Sequence, residues 1–357
     1  MAWSSPNTGG TVKAYYLDGI ETLAMREGER PSVGPGEVVL RVHTMGICGS
    51  DVEYYLHNRI GSFVPKGPLV LGHELAGEVV EHGAGVGGPP LGSRVAIDPS
   101  IPCRQCPYCR TGRHNLCDSM RFIGTAATYP HISGGLGEYV VVPAVNCHLV
   151  PDHLSWGEAA CLEPLAVAVH GCLRPGSLAG AKVLVTGGGT IGQFVAIVAR
   201  ALGAGTLAVS DLQPFRRDFA LEQGADCALD PTDGDAMERC RAEVGGFDVV
   251  FEASGAPPAV RANLELVNKG GTIVQIGSIP APVELPANLI MSKELTVMGS
   301  FRYGEIYGVA MNLLSTRRTD VRPLISATFP FERAMEAFKL AASRGETVKV
   351  QVAVSAG

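Results

Sequence analysis

Lys182-Val-Leu-Val-Thr-Gly-Gly-Gly-Thr-Ile-Gly192 decides the fold of this chain. A buried-strand pattern runs into a turn with glycines at its first, third and sixth places, Gly187, Gly189 and Gly192. An apolar helical pattern follows from Ile191 to Leu202. A lone G-x-G-x-x-G carries little weight in a chain with 45 glycines. Set between a strand and a helix, it reads as a dinucleotide-binding turn. Gly187 permits the tight turn, Gly189 admits a pyrophosphate to the backbone, and Gly192 lets helix and strand pack closely. Thr190 and Ile191 open the helix whose free N–H groups face the phosphates. Thr206 to Ser210 reads as the next strand, and Asp211 at its end follows Gly192 by 19 residues. A carboxylate there accepts from both hydroxyls of an adenosine ribose and repels a 2′-phosphate. NAD is therefore expected, with Arg216 leaving NADP open.

Outward from this stretch the strand–helix alternation continues. A helix is expected from Trp156 to Leu173, another at Pro214 to Gln223 and a third around Pro258 to Val267. Strands are expected at Cys227 to Leu229, Phe247 to Phe251 and Gly271 to Ile276. Such alternation builds a doubly wound parallel sheet covered on both faces, a Rossmann domain over residues 156–299. The preceding residues are β-rich, with short runs such as Glu37 to His43, Gly77 to Glu81 and Glu138 to Val142 between Gly and Pro clusters. The closing segment holds a strand near Leu295 to Ser300, helices near Glu305 to Ser315 and Phe331 to Ser343, and a strand at Val348 to Val354. It is expected to rejoin the first part, so that residues 1–155 and 300–357 form one catalytic domain. The fold class is α/β with two domains.

Composition agrees: 357 residues, 46% hydrophobic and 18% charged, is a globular balance rather than a disordered one. A net charge of −6 without a basic run argues against a nucleic-acid partner. Met1 to Thr11 is a polar lead without the pattern of a secretion signal. No apolar run approaches the roughly 18 residues of a membrane span, so no membrane partner is expected. The expected location is the cytoplasm. Ten cysteines in such a chain point to metal or catalysis rather than disulfides.

Four of them, Cys103-x-x-Cys106-x-x-Cys109-x7-Cys117, can close a tetrahedral thiolate shell around zinc with no open position. A site of that kind is structural; a regulatory disulfide pair is the second reading. Cys48 in Gly46-Ile-Cys-Gly-Ser-Asp51 and His73-Glu74 in Gly72-His-Glu-Leu-Ala-Gly77 are each unremarkable alone.

Together, G-I-C-G-S-D, G-H-E, the four-cysteine lobe at 100–120 and the glycine turn resemble the zinc-containing medium-chain dehydrogenase/reductase family, in order and over nearly the whole chain. The resemblance implies a GroES-like catalytic domain and two zinc ions per subunit, one structural and one catalytic. It implies Cys48 and His73 as ligands of the catalytic ion. In the polyol (sorbitol) dehydrogenase branch the acid of G-H-E, here Glu74, is a third ligand. Glu163, in Cys161-Leu-Glu-Pro-Leu165, belongs to the same metal environment and is expected to exchange with Glu74; Cys161 is a rival whose ordinary role is packing. The implied activity is oxidation of a secondary alcohol, with hydride transferred to NAD. Ser50 is placed to pass the proton outward, or to cap the helix that begins near Asp51. Many relatives carry a histidine where this chain has Glu53, so the last proton carrier stays open between water, a ribose hydroxyl and His57.

Within the branch, Ala96 to Ser100, Met120 to Thr125, Tyr129 to His131, Gly134-Gly135 and Gly299 to Tyr303 are similar to members that oxidise L-idonate to 5-keto-D-gluconate. A sugar acid calls for a cation beside hydroxyl-binding groups: Arg121 and Arg302 for the charge, Tyr54 and Tyr303 for hydroxyls, and Phe122 in the same wall. A neutral polyol, sorbitol or xylitol, is the alternative substrate. A non-catalytic NAD-binding protein is a remote one, since it predicts damage to Cys48, His73, Glu74 or Glu163. The family is usually homo-oligomeric, so a tetramer or dimer is expected.

Overall fold

Six strands in the order Cys227–Leu229, Thr206–Ser210, Lys182–Thr186, Phe247–Glu252, Val267–Gln275, Thr296–Gly299 form one all-parallel sheet. The computed structural model describes residues 11–343 and 345–355. Of the expected lead, therefore, only Thr11 is described, where it opens the strand Thr11–Leu17. The order reverses beside Lys182–Thr186, and that strand's C-terminal end carries the glycine turn. Ligands of open parallel sheets bind at this kind of switch point. Val183, Leu184 and Val185 are fully buried, and the helix Thr190–Ala201 lays Phe194, Val195, Val198 and Ala199 against the sheet.

The described parts of Met1–Cys103, Asp118–Glu163 and Ile325–Gly357 form one compact unit; Arg104–Cys117 and Pro164–Leu324 form the other. The divisions fall at 163/164 and 324/325, against 155/156 and 299/300 from the sequence. Contacts inside the second unit hold residues beyond 299 to it: Arg318 donates to the Ala201 carbonyl (3.2 Å), and Asn115 donates to the Phe301 carbonyl (2.9 Å).

In the first unit, Ile325–Pro330, Lys349–Ala353, Glu37–Gly46, Glu74–His82, Arg94–Ile97 and Cys147–Leu149 lie side by side, and Tyr139–Pro143 also pairs with Glu37–Gly46. The first pair is parallel and the rest antiparallel. Register places the chemistry. Gly46 faces Glu74 on one side and Gln351 on the other, so the Cys48 turn, the His73-Glu74 strand start and Lys349 converge at one end of the sheet. Gly77 of the G-H-E motif sits where the bulged strand Glu37–Gly46 crosses most closely; a Cβ there would overlap the Arg41 carbonyl oxygen.

The expected helix Trp156 to Leu173 is two helices, Trp156–Ala160 and Leu162–Leu173. Ser155 and Glu158 form a capping box at the first. Pro164, lacking an N–H, suits the opening turn of a new helix better than the interior of a long one. The helix Gly234–Val244 has no counterpart in the sequence reading, because its mostly polar residues show no apolar stripe. Its ends define it: Asp233 accepts from Ala236 N (2.9 Å), and Gly245 closes it with φ 76°. Among the described residues, no helix is long and apolar enough to cross a membrane.

Candidate active site

At the glycine turn, Gly187 has φ 95°, and a Cβ on it would press into the Ser254 backbone; a Cβ on Gly192 would overlap the Gly187 carbonyl oxygen. Both glycines are sterically required. In front of Gly189, which caps the helix opened by Thr190 and Ile191, the nearest atom to a Cβ would be Arg216 Nη1 at 3.8 Å. That leaves a backbone cradle with an adjacent cation, the arrangement a pyrophosphate fits. Asp211 Oδ2 accepts from Gly188 N (2.8 Å), its Oδ1 from Gln213 N (2.8 Å), and Arg216 Nη1 stands 3.5 Å from Oδ2. Asp211 is thus fixed beside the turn with Arg216 at its flank.

Glu252 escaped the sequence reading. Fully buried at its strand end, it accepts from the backbone of Ser254 (2.9 Å) and Gly255 (2.9 and 3.1 Å) and from the Ser254 hydroxyl and Gln275 amide. It thereby fixes the segment against which Gly187 packs. An acid ending an apolar strand run was its only signal.

In the first unit the helix Gly49–His57 begins directly after Cys48, whose backbone N–H donates to Asp51 Oδ2 (2.9 Å). Cys48 therefore occupies the cap position, and Ser50 sits inside the first turn; the capping role expected for Ser50 is corrected. Its Oγ instead lies 3.5 Å from His73 Nε2. Asp51, fully buried, also accepts from Gly72 N (3.2 Å) and stands 3.7 Å from His73 Nδ1. One carboxylate thus ties the Cys48 turn to the His73 loop and stands beside the imidazole, whose Nδ1 it does not reach as a hydrogen-bond acceptor. Asp51 lay inside the quoted motif, but nothing local distinguished it from a helix-opening acid. Phe122, buried, meets the His73 ring edge-on at 5.5 Å. Gly124 and Gly134 close on the Gly72 carbonyl oxygen, where any Cβ would overlap it. This packing gives a physical reason for the glycines of Met120 to Thr125 and of Gly134-Gly135.

Both oxygens of Glu74 accept from Lys349 Nζ (2.8 and 2.7 Å), which also donates to the Ile47 carbonyl (3.0 Å). The pair is sealed, with each side chain 1% exposed. Burial would lower the Lys349 pKa, but Glu74 and Cys48 outweigh it and raise it. Burial, reinforced by Glu74, pushes the Cys48 thiol up to about 12, with Lys349 pulling the other way. Burial likewise pushes Glu163 up to about 8, with His73 lowering it and Glu74 and Cys48 raising it. Thiol, imidazole and carboxylate are donors suited by type to zinc, but the ligand atoms of Cys48, His73, Glu74 and Glu163 do not form a group within 4.8 Å of one another. The commitment of Glu74 to Lys349 leaves Glu163 the less encumbered carboxylate. Cys161 is fully buried and accepts from Gln351 Nε2 at 3.4 Å, which agrees with packing.

Cys103, Cys106, Cys109 and Cys117 bring their four sulfurs within 4.8 Å of one another, the only such group of metal-type donors among the described residues. A tetrahedral zinc–thiolate shell needs sulfurs about 3.8 Å apart. Cys106 precedes the short helix Pro107–Arg110 that carries Cys109, and a 3-10 turn, His114–Leu116, delivers Cys117.

The residues expected to bind substrate are dispersed. Tyr54 is buried and its hydroxyl accepts from Ala126 N (3.0 Å), so it braces a loop. Tyr303 is buried edge-on to Tyr307. Arg121 is exposed, and the Arg302 guanidinium lies over the Phe301 ring at 4.9 Å. Glu53 and His57, exposed one turn apart, stand 3.8 Å from each other.

The family described as alcohol dehydrogenase GroES-like domain matches residues 34–152, and that described as zinc-binding dehydrogenase matches residues 190–316. Sorbitol dehydrogenase of Gallus gallus is 38% identical over 90% of this chain and 90% of that enzyme. D-xylulose reductase A of Aspergillus niger is 38% identical over 94% of this chain and 95% of the enzyme. The crystal structure of L-idonate 5-dehydrogenase from Escherichia coli superposes with a TM-score of 0.90 at 35% identity, over 97% of this chain and 99% of that one. The chain belongs to the zinc-dependent medium-chain dehydrogenase family, in its polyol dehydrogenase branch. It has a GroES-like part and a Rossmann-like parallel sheet, and its class is that of alcohol and polyol dehydrogenases using zinc and a nicotinamide coenzyme.

Proposed function

We propose that this chain oxidises a secondary hydroxyl of a small neutral polyol, such as sorbitol or xylitol, with NAD. The observation that supports the reading is His73 beside Ser50 Oγ (3.5 Å) and the buried Asp51 (3.7 Å), with Lys349 joining the Glu74 carboxylate to the Ile47 carbonyl next to Cys48. When bound, zinc supplies a Lewis acid for the substrate hydroxyl, and the nicotinamide supplies the hydride acceptor. Cys48 and His73 hold the ion, with Glu163 or Glu74 as third donor; Cys103, Cys106, Cys109 and Cys117 hold the structural ion. Asp51, 3.7 Å from His73 Nδ1, supplies negative charge beside the imidazole. Ser50 Oγ takes the proton from the substrate side and passes it outward. Asp211 accepts the adenosine ribose hydroxyls, and Arg216 steadies the phosphate end.

The neutral polyol comes first because the 38%-identical relatives bear polyol and ketose names. L-idonate is the second reading, favoured by the 35%-identical structure. Initial rates with NAD on sorbitol, xylitol and L-idonate test the order; a higher kcat/KM on L-idonate than on both polyols reverses it.

The working form is a homo-oligomer, a dimer or tetramer. Support comes from the edge strand Thr296–Gly299, which exposes Val297 near the exposed Met291. Ten cysteines without a disulfide, four of them gathered as thiolate ligands, suit a reducing cytoplasm.

A further inference from the structure

Cys227 and Cys240 lie outside everything assigned so far. Cys227 opens the edge strand Cys227–Leu229, and Cys240 sits on the helix Gly234–Val244. Their sulfurs are 3.1 Å apart, about one ångström beyond the 2.05 Å of a disulfide bond. Cys227 is half-buried, whereas Cys240 belongs to the core of the parallel-sheet unit. The outer sulfur can therefore meet a solute, and the inner one can meet only its neighbour. Burial and the adjacent Cys227 push the Cys240 thiol up to about 12, and the greater exposure of Cys227 makes it the thiol that an oxidant meets first.

Part of the chain between them lines a cavity at the ends of the strands that lead into the glycine turn and Asp211. Pro231, Gly234 and Met237 line a cavity of about 190 Å³, together with Thr186, Ser210 and Asn263. Thr186 and Ser210 end the two strands that precede Gly187 and Asp211. The carbonyl of Leu229, two residues after Cys227, accepts from Asp211 N (3.1 Å), and Arg217 links Asp230 to the Asp211 carbonyl (3.1 and 2.8 Å). Tying the helix to the edge strand would thus fix one wall of this cavity and the backing of Asp211.

We infer that Cys227 and Cys240 form a reversible thiol–disulfide site, oxidised by a peroxide, that alters coenzyme binding at Asp211. The Cys227 sulfur attacks one peroxide oxygen, giving a sulfenic acid and one water. The Cys240 sulfur then displaces the hydroxyl, forming the S–S bond and releasing a second water; the two thiol protons leave in the waters. A dithiol returns both cysteines to thiols by exchange. The effect on coenzyme rests on the proposed role of Asp211; formation of the bond does not.

The test uses the full-length, zinc-loaded chain treated with equimolar hydrogen peroxide. Unreacted thiols are blocked, peptides are mapped without reduction, and NAD affinity is measured by titration before and after. A peptide pair joined through residues 227 and 240 is expected, removed by dithiothreitol, with a several-fold change in NAD affinity that Cys227→Ser abolishes. In Cys240→Ala, dimedone is expected to label Cys227; in Cys227→Ser, Cys240 should stay unlabelled. Lobe cysteines oxidising while this pair remains reduced would overturn the site. A formed disulfide with unchanged NAD affinity would overturn the coupling. Failure of the untreated protein to bind NAD would remove the role of Asp211 and leave the peptide map to judge the disulfide alone.

Discussion

Replacing Lys349 by Met strands the Glu74 carboxylate. Both partners are 1% exposed, and both Glu74 oxygens are held by the one ammonium, so water screens neither charge. Breaking one side of a buried pair costs roughly 3–5 kcal/mol, because the remaining charge has lost its partner. At about 2–4 °C per kcal/mol for a domain of 150–250 residues, Lys349→Met should melt roughly 6–20 °C below the parent. Thermal unfolding followed by circular dichroism at one scan rate, on chelator-treated protein, measures this. Adding Glu74→Gln removes the stranded charge, so the double variant should recover a substantial part of the loss. Zinc should protect Lys349→Met more than it protects the parent, since the freed carboxylate becomes available beside Cys48 and His73. A single variant within about 2 °C of the parent, a margin under 1 kcal/mol, would refute the reasoning. So would a double variant no more stable than the single one.

Asp211→Ser removes the acceptor of Gly188 N and Gln213 N and releases Arg216. At roughly 1.5–3 kcal/mol for hydrogen bonds to a charged group, kcat/KM with NAD should fall about 10- to 150-fold. Activity with NADP should rise, and steady-state rates with both coenzymes would expose a failure as an NADP rate that falls in parallel. Cys103→Ser should lower the zinc content from two ions per chain to one by elemental analysis; retention of both would deny the lobe its metal. Glu163, ordinarily near 4.5 and raised to about 8 in the fold, makes the metal-free protein most stable, as far as this group goes, below pH 4.5. Its contribution is lost at about 1.4 kcal/mol per pH unit as the pH rises through that window, because the unfolded chain gives up the proton first. Glu163→Gln should flatten this slope in chemical denaturation between pH 5 and 8, and an unchanged slope would place the cause elsewhere.

What could be read in the chain before its structure was whatever a single turn contains. The glycine turn, the acid after the next strand and four cysteines within fifteen residues each keep their geometry over a few peptide bonds, so spacing alone specifies them. Residues whose roles depend on strand register were invisible. Lys349 reaches Glu74 across 275 residues of chain, through the pairing of Gly46 with both Glu74 and Gln351. A lysine within an alternating closing strand looks like any solvated edge. Asp51 was quoted and passed over for a related reason, since an acid opening a helix is ordinary until the Gly72 amide and the His73 imidazole arrive on its other side. The placement of Tyr54 and Tyr303 was illegible for the opposite reason. A phenol suits a substrate hydroxyl and a core equally well, and only packing decides between them. Local spacing therefore identifies which chemistry the chain can hold, whereas the charge balance around it is set by partners that meet only in the sheet. That is why the choice between Glu74 and Glu163 as the proposed third metal donor turns on Lys349, a residue that no motif contains.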